Sequence, residues 1–376
     1  MSKIDDLINK LCPDGVEYKT IQDLCNISRG RVMSKDYIKN NIGDFPVYSS
    51  QTENNGELGK IATYDFDGEY LTWTTDGANA GSVFYRNGKF SVTNVCGLLE
   101  VINRKITTNF LYYVLSVEAP KYVNSGMGNP KLMSNVMSRI KVPVPPIEVQ
   151  REIVNILDTF EEHIECLKKE LILREESYES IMHQLLKKEN FKNFDALENY
   201  CSFEKGKTPI QKNKPGNYPL VATTEHLQTS ENYQFDCEAV CLPLISARGH
   251  GVASITRIYY QSGKFALGNI LCAIIPKDDQ IKAEFLRNYL FYHKDTLLVP
   301  LMRGGANVAL TIDSLKKVQI PIPSVDEQQN IIEKLRPFQD IISKENGIPA
   351  EIEKRQTQYE YYKNKLLSFK EVEVNE

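Results

Sequence analysis

The chain has 376 residues, of which 41% are hydrophobic and 25% charged, and this composition suits two globular domains with cores of ordinary size. No apolar stretch approaches the roughly 18 uncharged residues of a membrane helix, and the N-terminal Met1-Ser2-Lys3-Ile4-Asp5-Asp6 lacks the apolar core of a signal peptide. We therefore expect a cytoplasmic protein whose eight cysteines are reduced thiols.

The first 147 residues, here called head 1, predict a mixed α/β domain. Alternating segments at residues 70–73 and 95–101, punctuated by glycine, are typical of strands, and residues 109–118 predict a helix that covers one face of the sheet. Two polar loops rich in glycine follow at residues 73–81 and 126–131. Such loops carry the residue types that reach base edges and phosphates, although ordinary surface turns use them as well.

Residues 148–190 predict a long helix with a coiled-coil seam. Apolar residues recur there at alternating steps of four and three, and the first seven of them that we expect to pack against another helix are Ile153, Leu157, Phe160, Ile164, Leu167, Leu171 and Tyr178. At 1.5 Å per residue the run is about 60 Å long. It carries 6 basic against 11 acidic residues.

Residues 191–325, here called head 2, repeat head 1 along the chain. Lys205-Gly206-Lys207 corresponds to Arg29-Gly30-Arg31, strands are predicted at residues 240–245 and 270–275, and a helix is predicted at residues 283–293. The loops at residues 245–251 and 303–307 differ in sequence from their counterparts in head 1. Two heads on one frame with different loop chemistry should recognise two different targets.

Residues 326–376 form a second helical run, with Leu335, Ile342, Tyr359 and Leu366 among its apolar positions. Gly347-Ile348-Pro349 interrupts it and should kink or break the helix, because proline removes a helical hydrogen bond. Both runs follow similar passages about 178 positions apart, residues 142–150 and 320–328, so the chain is a duplication. We expect the two runs to pack on each other; the alternative is that each apolar stripe faces the core of its own head.

Charge separates the heads from the helical runs. Head 1 has 16 basic against 15 acidic residues and head 2 has 15 against 12, whereas the second helical run has 8 against 11. If the protein binds a polyanion, the heads should contact it. If that polyanion is DNA, the residues that we expect to contact it are Arg29, Arg31, Trp73, Asp76, Asn79, Asn129, Lys131, Lys205, Lys207, Arg248, His250, Arg303 and Asn307.

The sequence offers no catalytic, metal or cofactor site. Cys237 and Cys241 lack the further ligands of a zinc site. Asn129-Pro130 continues with Lys131 where an amino-methyltransferase loop needs a second proline and an aromatic residue. Gly206-Lys207-Thr208 lacks the first glycine of a phosphate-binding loop, and Pro13-Asp14 lies too close to residues 17–19 for a nuclease. We therefore expect a chain that is not an enzyme and that needs no cofactor.

The chain resembles the specificity subunits of type I restriction-modification systems. The resemblance is carried by Leu11-Cys12-Pro13-Asp14-Gly15-Val16, by the passages at residues 143–150 and 321–328, and by both helical runs, and it covers essentially the whole chain. It implies an α/β (α+β) fold, in which two pseudo-symmetric mixed α/β target recognition domains are joined by two long antiparallel coiled-coil helices.

In that family each recognition domain reads one half of a bipartite DNA site. The helices form a conserved spacer that docks two methyltransferase subunits and, through them, the restriction subunits. The resemblance thus implies recognition domain 1 at residues 1–147, spacer helix 1 at 148–190, recognition domain 2 at 191–325 and spacer helix 2 at 326–376. A scaffold that does not touch nucleic acid and a catalytic subunit are the alternatives; the charge division disfavours the first and the missing motifs disfavour the second.

Overall fold

A computed structural model describes residues 3–126, 128–224, 228–248, 251–305 and 307–372. The chain folds into two compact units, of which unit 1 comprises Met1–Leu167 with Ile352–Glu376 and unit 2 comprises Lys168–Glu351. Each unit therefore contains one head together with helical segments from two different parts of the chain. The boundaries proposed from sequence treat heads and helical runs as separate segments, whereas each compact unit combines one head with parts of both helical runs.

Both predicted helical runs are helical, and shorter helices lie in the heads. In chain order they are α1 (Lys3–Leu11), α2 (Ile21–Leu24), α3 (Lys35–Asn40), α4 (Thr108–Glu118), α5 (Ser134–Met137), α6 (Ile147–Leu186), α7 (Leu197–Tyr200), α8 (Ala283–Tyr292), α9 (Ile312–Lys316), α10 (Val325–Ile342) and α11 (Ile348–Leu366). The predicted helices at residues 109–118, 148–190 and 283–293 are confirmed as α4, α6 and α8.

All the strands among the described residues lie in the two heads. In chain order they are β1 (Glu17–Thr20), β2 (Cys25–Arg29), β3 (Ile42–Tyr48), β4 (Glu57–Ile61), β5 (Phe66–Thr74), β6 (Val83–Val92), β7 (Cys96–Val101), β8 (Lys141–Val144), β9 (Phe194–Ala196), β10 (Cys201–Lys205), β11 (Tyr218–Val221), β12 (Gln228–Ser230), β13 (Phe235–Asp236), β14 (Ala239–Pro243), β15 (Tyr259–Gln261), β16 (Lys264–Leu267), β17 (Leu271–Pro276) and β18 (Gln319–Pro321). The four predicted strands are confirmed as β5, β7, β14 and β17.

The two heads share one strand topology. Head 1 has a six-stranded sheet of order β2-β7-β5-β6-β3-β4 and a small β1-β8 ladder. Head 2 has the order β10-β17-β14-β15 in one sheet, β12-β11-β16-β13 in another, and the ladder β18-β9. The pairs β3-β6 and β11-β16 are both parallel, in otherwise antiparallel sheets. The duplication predicted from the repeat is thus confirmed, except that the long β5-β6 hairpin of head 1 is interrupted in head 2, where two short strands replace each long one.

Each head buries its apolar strand residues beneath one helix. In head 1, α4 presents Phe110 and Leu115 to the core, and in head 2, α8 presents Phe285 and Tyr289; all four side chains are buried. Thr107 caps α4, since its side-chain oxygen accepts a hydrogen bond from the backbone N–H of Phe110 at 3.3 Å. Helix α4 is therefore held both by a local capping signal and by apolar burial, whereas α8 has no side-chain cap and is held by apolar burial.

The apolar stripe of α6 is divided between the two cores. Ile153, Leu157 and Ile164 are buried in the core of unit 1, together with Tyr359 and Leu366 of α11. In unit 2, the core instead includes residues of the second half of the stripe and of α10, which are Tyr178, Met182, Leu186, Ile331, Ile332 and Leu335. Phe160 and Ile342 are partly buried against the same two cores, while Leu167 and Leu171 are half-buried near the middle of α6.

Both expectations for the helical runs are therefore partly correct. Phe160 of α6 stacks on Tyr362 of α11, with ring centroids 5.8 Å apart, and Ile156 and Leu366 line one groove, so the two helices run antiparallel. The same stripe also faces the core of its own head. The stripe is divided between the two units, and its second half meets α10, since the Tyr178 hydroxyl accepts a hydrogen bond from Gln339 at 2.9 Å.

Tyrosine hydroxyls tie the acidic helix to its neighbours in unit 1. Tyr113 of α4 donates a hydrogen bond to Asp158 Oδ1, and Tyr359 of α11 donates one to Glu161. Burial raises the pKa of both tyrosines, so they remain protonated donors at neutral pH. The carboxylates of α6 are therefore used for packing as well as for surface charge.

The second helical run is broken, as Gly347-Ile348-Pro349 predicted. Helix α10 ends at Ile342 and α11 begins at Ile348. A Cβ atom on Gly347 would lie 2.2 Å from the carbonyl oxygen of Ile341, so the turn between the helices requires glycine. Within the described ranges, no helix is long and apolar enough to cross a membrane.

The repeated proline-to-glutamine passages end in a buried glutamine clamp. The Gln150 carboxamide, fully buried, accepts from the backbone N–H of Thr107 at 2.9 Å and donates to the carbonyls of Lys105 and Pro145, both at 2.7 Å. It thereby joins the first turn of α6 to the segment that precedes α4.

Gln328 makes the same three contacts in head 2. Its carboxamide accepts from the N–H of Lys282 at 2.8 Å and donates to the carbonyls of Gln280 at 2.8 Å and Pro323 at 3.0 Å. Each clamp satisfies three backbone groups at once, which explains why a glutamine ends both passages.

We predict that Gln150→Ala and Gln328→Ala each lower the free energy of unfolding by roughly 2–4 kcal/mol, because three buried backbone groups lose their partner. Urea denaturation of the full chain measures the loss. Gln329→Ala is the matched control, since among the described residues the Gln329 side chain bonds only to the exposed Glu333 carboxylate, and its loss should cost less than about 0.5 kcal/mol. Equal effects at Gln328 and Gln329 would contradict the clamp.

Candidate nucleic-acid interface

Each head has a tight turn around which its polar loops gather, here called the hub turn. In head 1 it comprises residues 93–96 and is closed by a hydrogen bond from the N–H of Cys96 to the carbonyl of Thr93 at 3.0 Å. In head 2 it comprises residues 268–271 and is closed by the equivalent bond from Leu271 to Gly268, also at 3.0 Å. Since the hub turn is bound by backbone groups, it keeps its shape while the side chains differ.

The basic motif at the end of β2 and of β10 packs directly on the hub turn. The N–H of Gly30 donates to the carbonyl of Cys96 at 3.4 Å, and that of Gly206 donates to the carbonyl of Leu271 at 2.9 Å. A Cβ atom on Gly30 would lie 1.9 Å from the Val92 carbonyl oxygen, and one on Gly206 would lie 2.1 Å from that of Gly268. The glycine of both motifs is therefore required by the fold, and the basic residues on either side are exposed.

The loop after β3 begins at the hub turn as well. The N–H of Thr93 donates to the carbonyl of Tyr48 at 2.9 Å, and the hydroxyls of Ser49 and Thr93 share a hydrogen bond at 2.9 Å. In head 2 the N–H of Gly268 donates to the carbonyl of Val221 at 2.9 Å. The 49–56 loop of head 1 and the residues after β11 in head 2 thus start at equivalent places.

Two further loops are joined to the hub turn in series. In head 1 the N–H of Thr75 donates to the carbonyl of Val95 at 3.3 Å, and the N–H of Leu132 donates to the carbonyl of Thr75 at 2.8 Å. This places the 74–82 loop beside the 124–132 loop. Gly77 and Gly81 give the first of these loops two residues with positive φ, a conformation that glycine adopts without strain.

Head 2 repeats this series of bonds. The N–H of Leu244 donates to the carbonyl of Ile270 at 2.9 Å, and the N–H of Leu310 donates to the carbonyl of Leu244 at 2.7 Å. Arg303 and Ala309 exchange two backbone hydrogen bonds of 2.8 Å. The loops that differ most in sequence between the heads therefore occupy equivalent positions at the hub turn.

The structure brings most of the sequence-predicted contact residues to these loops. The exposed ones are Arg29, Arg31, Asn79, Asn129 and Lys131 in head 1, and Lys205, Lys207, Arg248, Arg303 and Asn307 in head 2. Asp76 is half-buried beside Lys131, with which it forms an isolated β-bridge. His250 lies outside the described residues.

The prediction that Trp73 contacts DNA is wrong. Its side chain is 0% exposed, and its indole N–H donates to the carbonyl of Leu132 at 2.9 Å. Strand β5 lies between β6 and β7, and a Cβ atom on Gly97 of β7 would meet the indole ring at 2.2 Å. Gly97 therefore makes room for a core tryptophan, and the hydrogen bond from Trp73 to Leu132 supports the 124–132 loop.

Some of the exposed cations are already tethered. Arg31 Nε lies 3.0 Å from an Asp65 carboxylate oxygen, and its guanidinium carbon lies 5.2 Å from the Tyr37 ring centroid. The hydrogen bonds that the Arg31 guanidinium donates to the Tyr37 and Asp65 side chains raise its pKa. Arg303 Nη1 donates to the carbonyls of Pro300 and Met302 at 2.6 and 2.9 Å. These two arginines are held in place by their neighbours, and Asp65 offsets part of the charge of Arg31.

A basic groove in head 2 was not predicted from the sequence. It has a volume of about 470 Å³, and its lining includes Lys207, Lys212, Lys214, Tyr233 and Gln234. The Gln234 carboxamide accepts from the N–H of Lys207 at 2.9 Å and donates to the carbonyl of Lys205 at 3.0 Å, so it orients the basic motif. The run Lys212-Asn213-Lys214, so soon after Lys207, was the signal that could have identified the groove.

The tip of each hub turn carries an asparagine that was not proposed as a contact. Asn94 and Asn269 correspond in the repeat, and both are exposed. Because they are shared by heads whose other loops differ, they suit a contact common to both heads, such as a phosphate, rather than a base.

The described part of the chain contains no group of three or more His, Cys, Asp or Glu side chains that could hold a metal ion. Cys241 is buried on β14 and Cys237 is half-buried just before that strand. Burial raises the pKa of both thiols, so neither is an activated nucleophile.

Comparisons with known proteins agree with this arrangement. The model of the type I restriction modification DNA specificity domain matches residues 13–174 and 188–354, one match for each repeat. A protein of Mycoplasma pneumoniae described as a type I specificity subunit, S.MpnORF507P, is 37% identical over 376 residues, which cover 93% of this chain and 96% of the relative. The MpnII specificity subunit of the same organism is 51% identical over 156 residues, which cover 41% of this chain and 47% of the relative.

Solved structures show the same fold at low sequence identity. A type I restriction-modification S subunit from M. genitalium superposes with a TM-score of 0.68 at 14% identity, covering 94% of this chain and 96% of the other. A chain from a structure of type I restriction-modification complex assembly gives a TM-score of 0.51 at 15% identity, with coverage of 94% and 98%.

The family model matches most of the chain, and a relative above 30% identity spans nearly all of it. The chain therefore belongs to the family of type I restriction-modification specificity subunits, the non-catalytic components through which these systems recognise DNA.

Proposed function

We propose that this chain recognises a bipartite DNA site, with one half read by each head. The observation that carries the proposal is that both heads gather loops of different sequence around hub turns of identical hydrogen bonding. A shared frame with unlike loops suits two different half-sites, and the DNA between them would not be read.

Within each head we assign the two kinds of contact to different residues. Phosphates would be bound by the motif residues Arg29, Lys205 and Lys207, whose charges lie beside the hub turn. Bases would be read by side chains of the differing loops, among them Asp76, Asn79, Asn129, Lys131, Arg248 and Asn307. Arg303 would contribute by shaping its loop, since its guanidinium is bonded to backbone carbonyls.

The helical segments would dock two methyltransferase subunits and, through them, the restriction subunits. Helix α6 exposes Ile172 by 55% and Leu173 by 62%, both outside the core of unit 2. In unit 1 an apolar groove of about 290 Å³ lies between α1, α6 and α11, and its lining includes Ile4, Phe160 and Tyr362. Exposed apolar surface on an acidic helix suits a protein partner and disfavours a polyanion.

A scaffold that does not bind nucleic acid is the competing function. The acidic helices fit both functions, whereas the basic groove at Lys207, Lys212 and Lys214 fits only the DNA-binding one. The dependence of DNA affinity on salt concentration separates the two.

We predict that Lys205→Gln with Lys207→Gln weakens DNA binding by the assembled complex, and that it reduces the slope of log K against log salt by about 0.9 for each phosphate that is no longer neutralised. Titration of labelled DNA at several salt concentrations measures the slope. Lys168→Gln with Lys169→Gln, on α6, removes the same charge from the helix and should leave the slope unchanged. A slope that is equally unaffected by both variants would favour the scaffold.

We predict that removing one heptad from α6, residues 168–174, with a matching deletion in α11, shortens the unread gap and leaves both half-sites unchanged. Seven helical residues span about 10.5 Å, which corresponds to about three base pairs. The measurement is the modified motif in the DNA of a host that expresses the chain with its methyltransferase. An alanine variant of Lys168 and Lys169 at full length is the control. An altered half-site with an unchanged gap would refute the model.

A further inference from the structure

The 49–56 loop of head 1 has an unusual backbone. Asn54 and Asn55 have φ values of 51° and 53°, and in the described part of the chain they are the non-glycine residues with positive φ. Two consecutive left-handed residues are unfavourable for L-amino acids, although asparagine tolerates this conformation better than most. Such a conformation persists only when surrounding contacts enforce it.

The enforcing contact is a buried arginine. Arg86 of β6 is 3% exposed, and its Nη2 donates to the carbonyl of Asn55 at 2.9 Å. Its Nε donates to Thr72 Oγ1 at 3.1 Å, and its guanidinium carbon lies 3.5 Å from the centroid of the Tyr48 ring. Arg86 therefore connects the tip of the loop to β5 and to the end of β3.

Arg86 is costly to bury. Among the described residues it has no carboxylate partner, its Nη1 has no hydrogen-bond partner, and burial lowers its pKa. An apolar side chain of similar length would fill the same space without this cost. An apolar residue could donate neither the hydrogen bond to Thr72 nor the one to the Asn55 carbonyl, and only the second reaches the loop, so positioning of the loop is what the arginine supplies.

The loop that Arg86 holds is chemically suited to bases. Thr52, Glu53, Asn54 and Asn55 are all exposed, and residues 49–56 contain neither lysine nor arginine. The Glu53 carboxylate would be repelled by a phosphate, whereas carboxylate and amide side chains pair with the edges of cytosine and adenine. The loop starts at Ser49, which bonds to Thr93 of the hub turn, so it belongs to the same face as the other candidate loops.

We propose that the 49–56 loop is a base-reading element of head 1, with Asn54 and Asn55 as specificity-determining residues and Arg86 as their positioning residue. This inference rests on the proposed function of the heads. It adds to the candidate contacts a third loop that is held rigid before DNA binds, so that less conformational freedom is lost on binding.

Head 2 contains a similar clamp. Arg257 Nη1 donates to the carbonyl of Thr224 at 2.7 Å, just after β11, and the Tyr259 hydroxyl donates to the carbonyl of Ala222 at 3.0 Å. An arginine close to the hairpin strand thus holds a carbonyl of the loop in both heads. Residues 225–227, which follow Thr224, lie outside the described residues.

The test uses Asn54→Gly with Asn55→Gly in the full chain, expressed with its methyltransferase in a host that otherwise lacks the modification. Glycine accepts positive φ without strain, so the variant removes the amides while keeping the loop conformation. The modified motif is mapped by sequencing the host DNA. We expect one or two positions of a single half-site to lose roughly 10- to 100-fold of their discrimination, while the other half-site and the gap stay the same.

The salt dependence of binding provides a second readout. Loss of a base contact should leave the slope of log K against log salt unchanged, whereas loss of a phosphate contact should reduce it. An unchanged motif, or a reduced slope with uniform weakening at all sites, would overturn the inference. Asn79→Gly is the comparison in the same head: if it relaxes the half-site while the Asn54 and Asn55 variant does not, the inference fails and the proposed function stands. A wild-type motif that is one uninterrupted sequence would instead refute the proposed function.

Arg86→Lys tests the positioning role, because lysine keeps the charge and loses the planar fork. We expect it to relax the same positions of the half-site in the wild-type background and to have no further effect on the motif when Asn54 and Asn55 are glycine. The melting temperature is measured in parallel, since a merely structural role would lower it and weaken modification at every site in both backgrounds. That second pattern would exclude Arg86 as a positioning residue.

Discussion

The fold of each repeat depends on one buried carboxamide. Gln150 and Gln328 each satisfy three backbone groups, two from the segment before the covering helix and one from the proline passage. The glutamine therefore connects a head to the helix that leaves it. Since an unsatisfied backbone group in the core is costly, the start of α6 and of α10 is fixed relative to its head, and the packing of each helix on the core follows from that.

At the candidate interface, too, backbone groups fix the structure, and the side chains remain available for recognition. Around each hub turn the loops are joined through backbone N–H and carbonyl groups, for instance from Leu132 to Thr75 and from Leu310 to Leu244. Backbone bonds place few demands on side chains, so these loops can differ between the heads while their positions remain equivalent. Glycine is demanded only where the chain passes too close for a Cβ atom, as at Gly30 and Gly206.

Side chains that look functional in the sequence divide into three groups once they are placed. Trp73 is a core residue that supports a loop, Arg31 and Arg303 are partly engaged by neighbouring groups, and Lys205 and Lys207 are exposed beside the hub turn. The buried Arg86 belongs to none of the predicted sets, because its role depends on a carbonyl 31 residues away. Residue type alone could not make these distinctions, since burial and hydrogen-bond partners come from distant parts of the chain.

The duplication, the four strands, the long helix α6 and the break at Gly347 could all be read from the sequence. They depend on local periodicity, on proline and glycine geometry and on direct comparison of the two repeats, and each of these is a property of neighbouring residues. Only the tertiary structure decided that the stripe of α6 divides between two cores, that Trp73 is buried and that Arg86 holds the 49–56 loop. Those outcomes depend on which distant segments compete to cover the same apolar surface or polar group, and no local pattern records that competition.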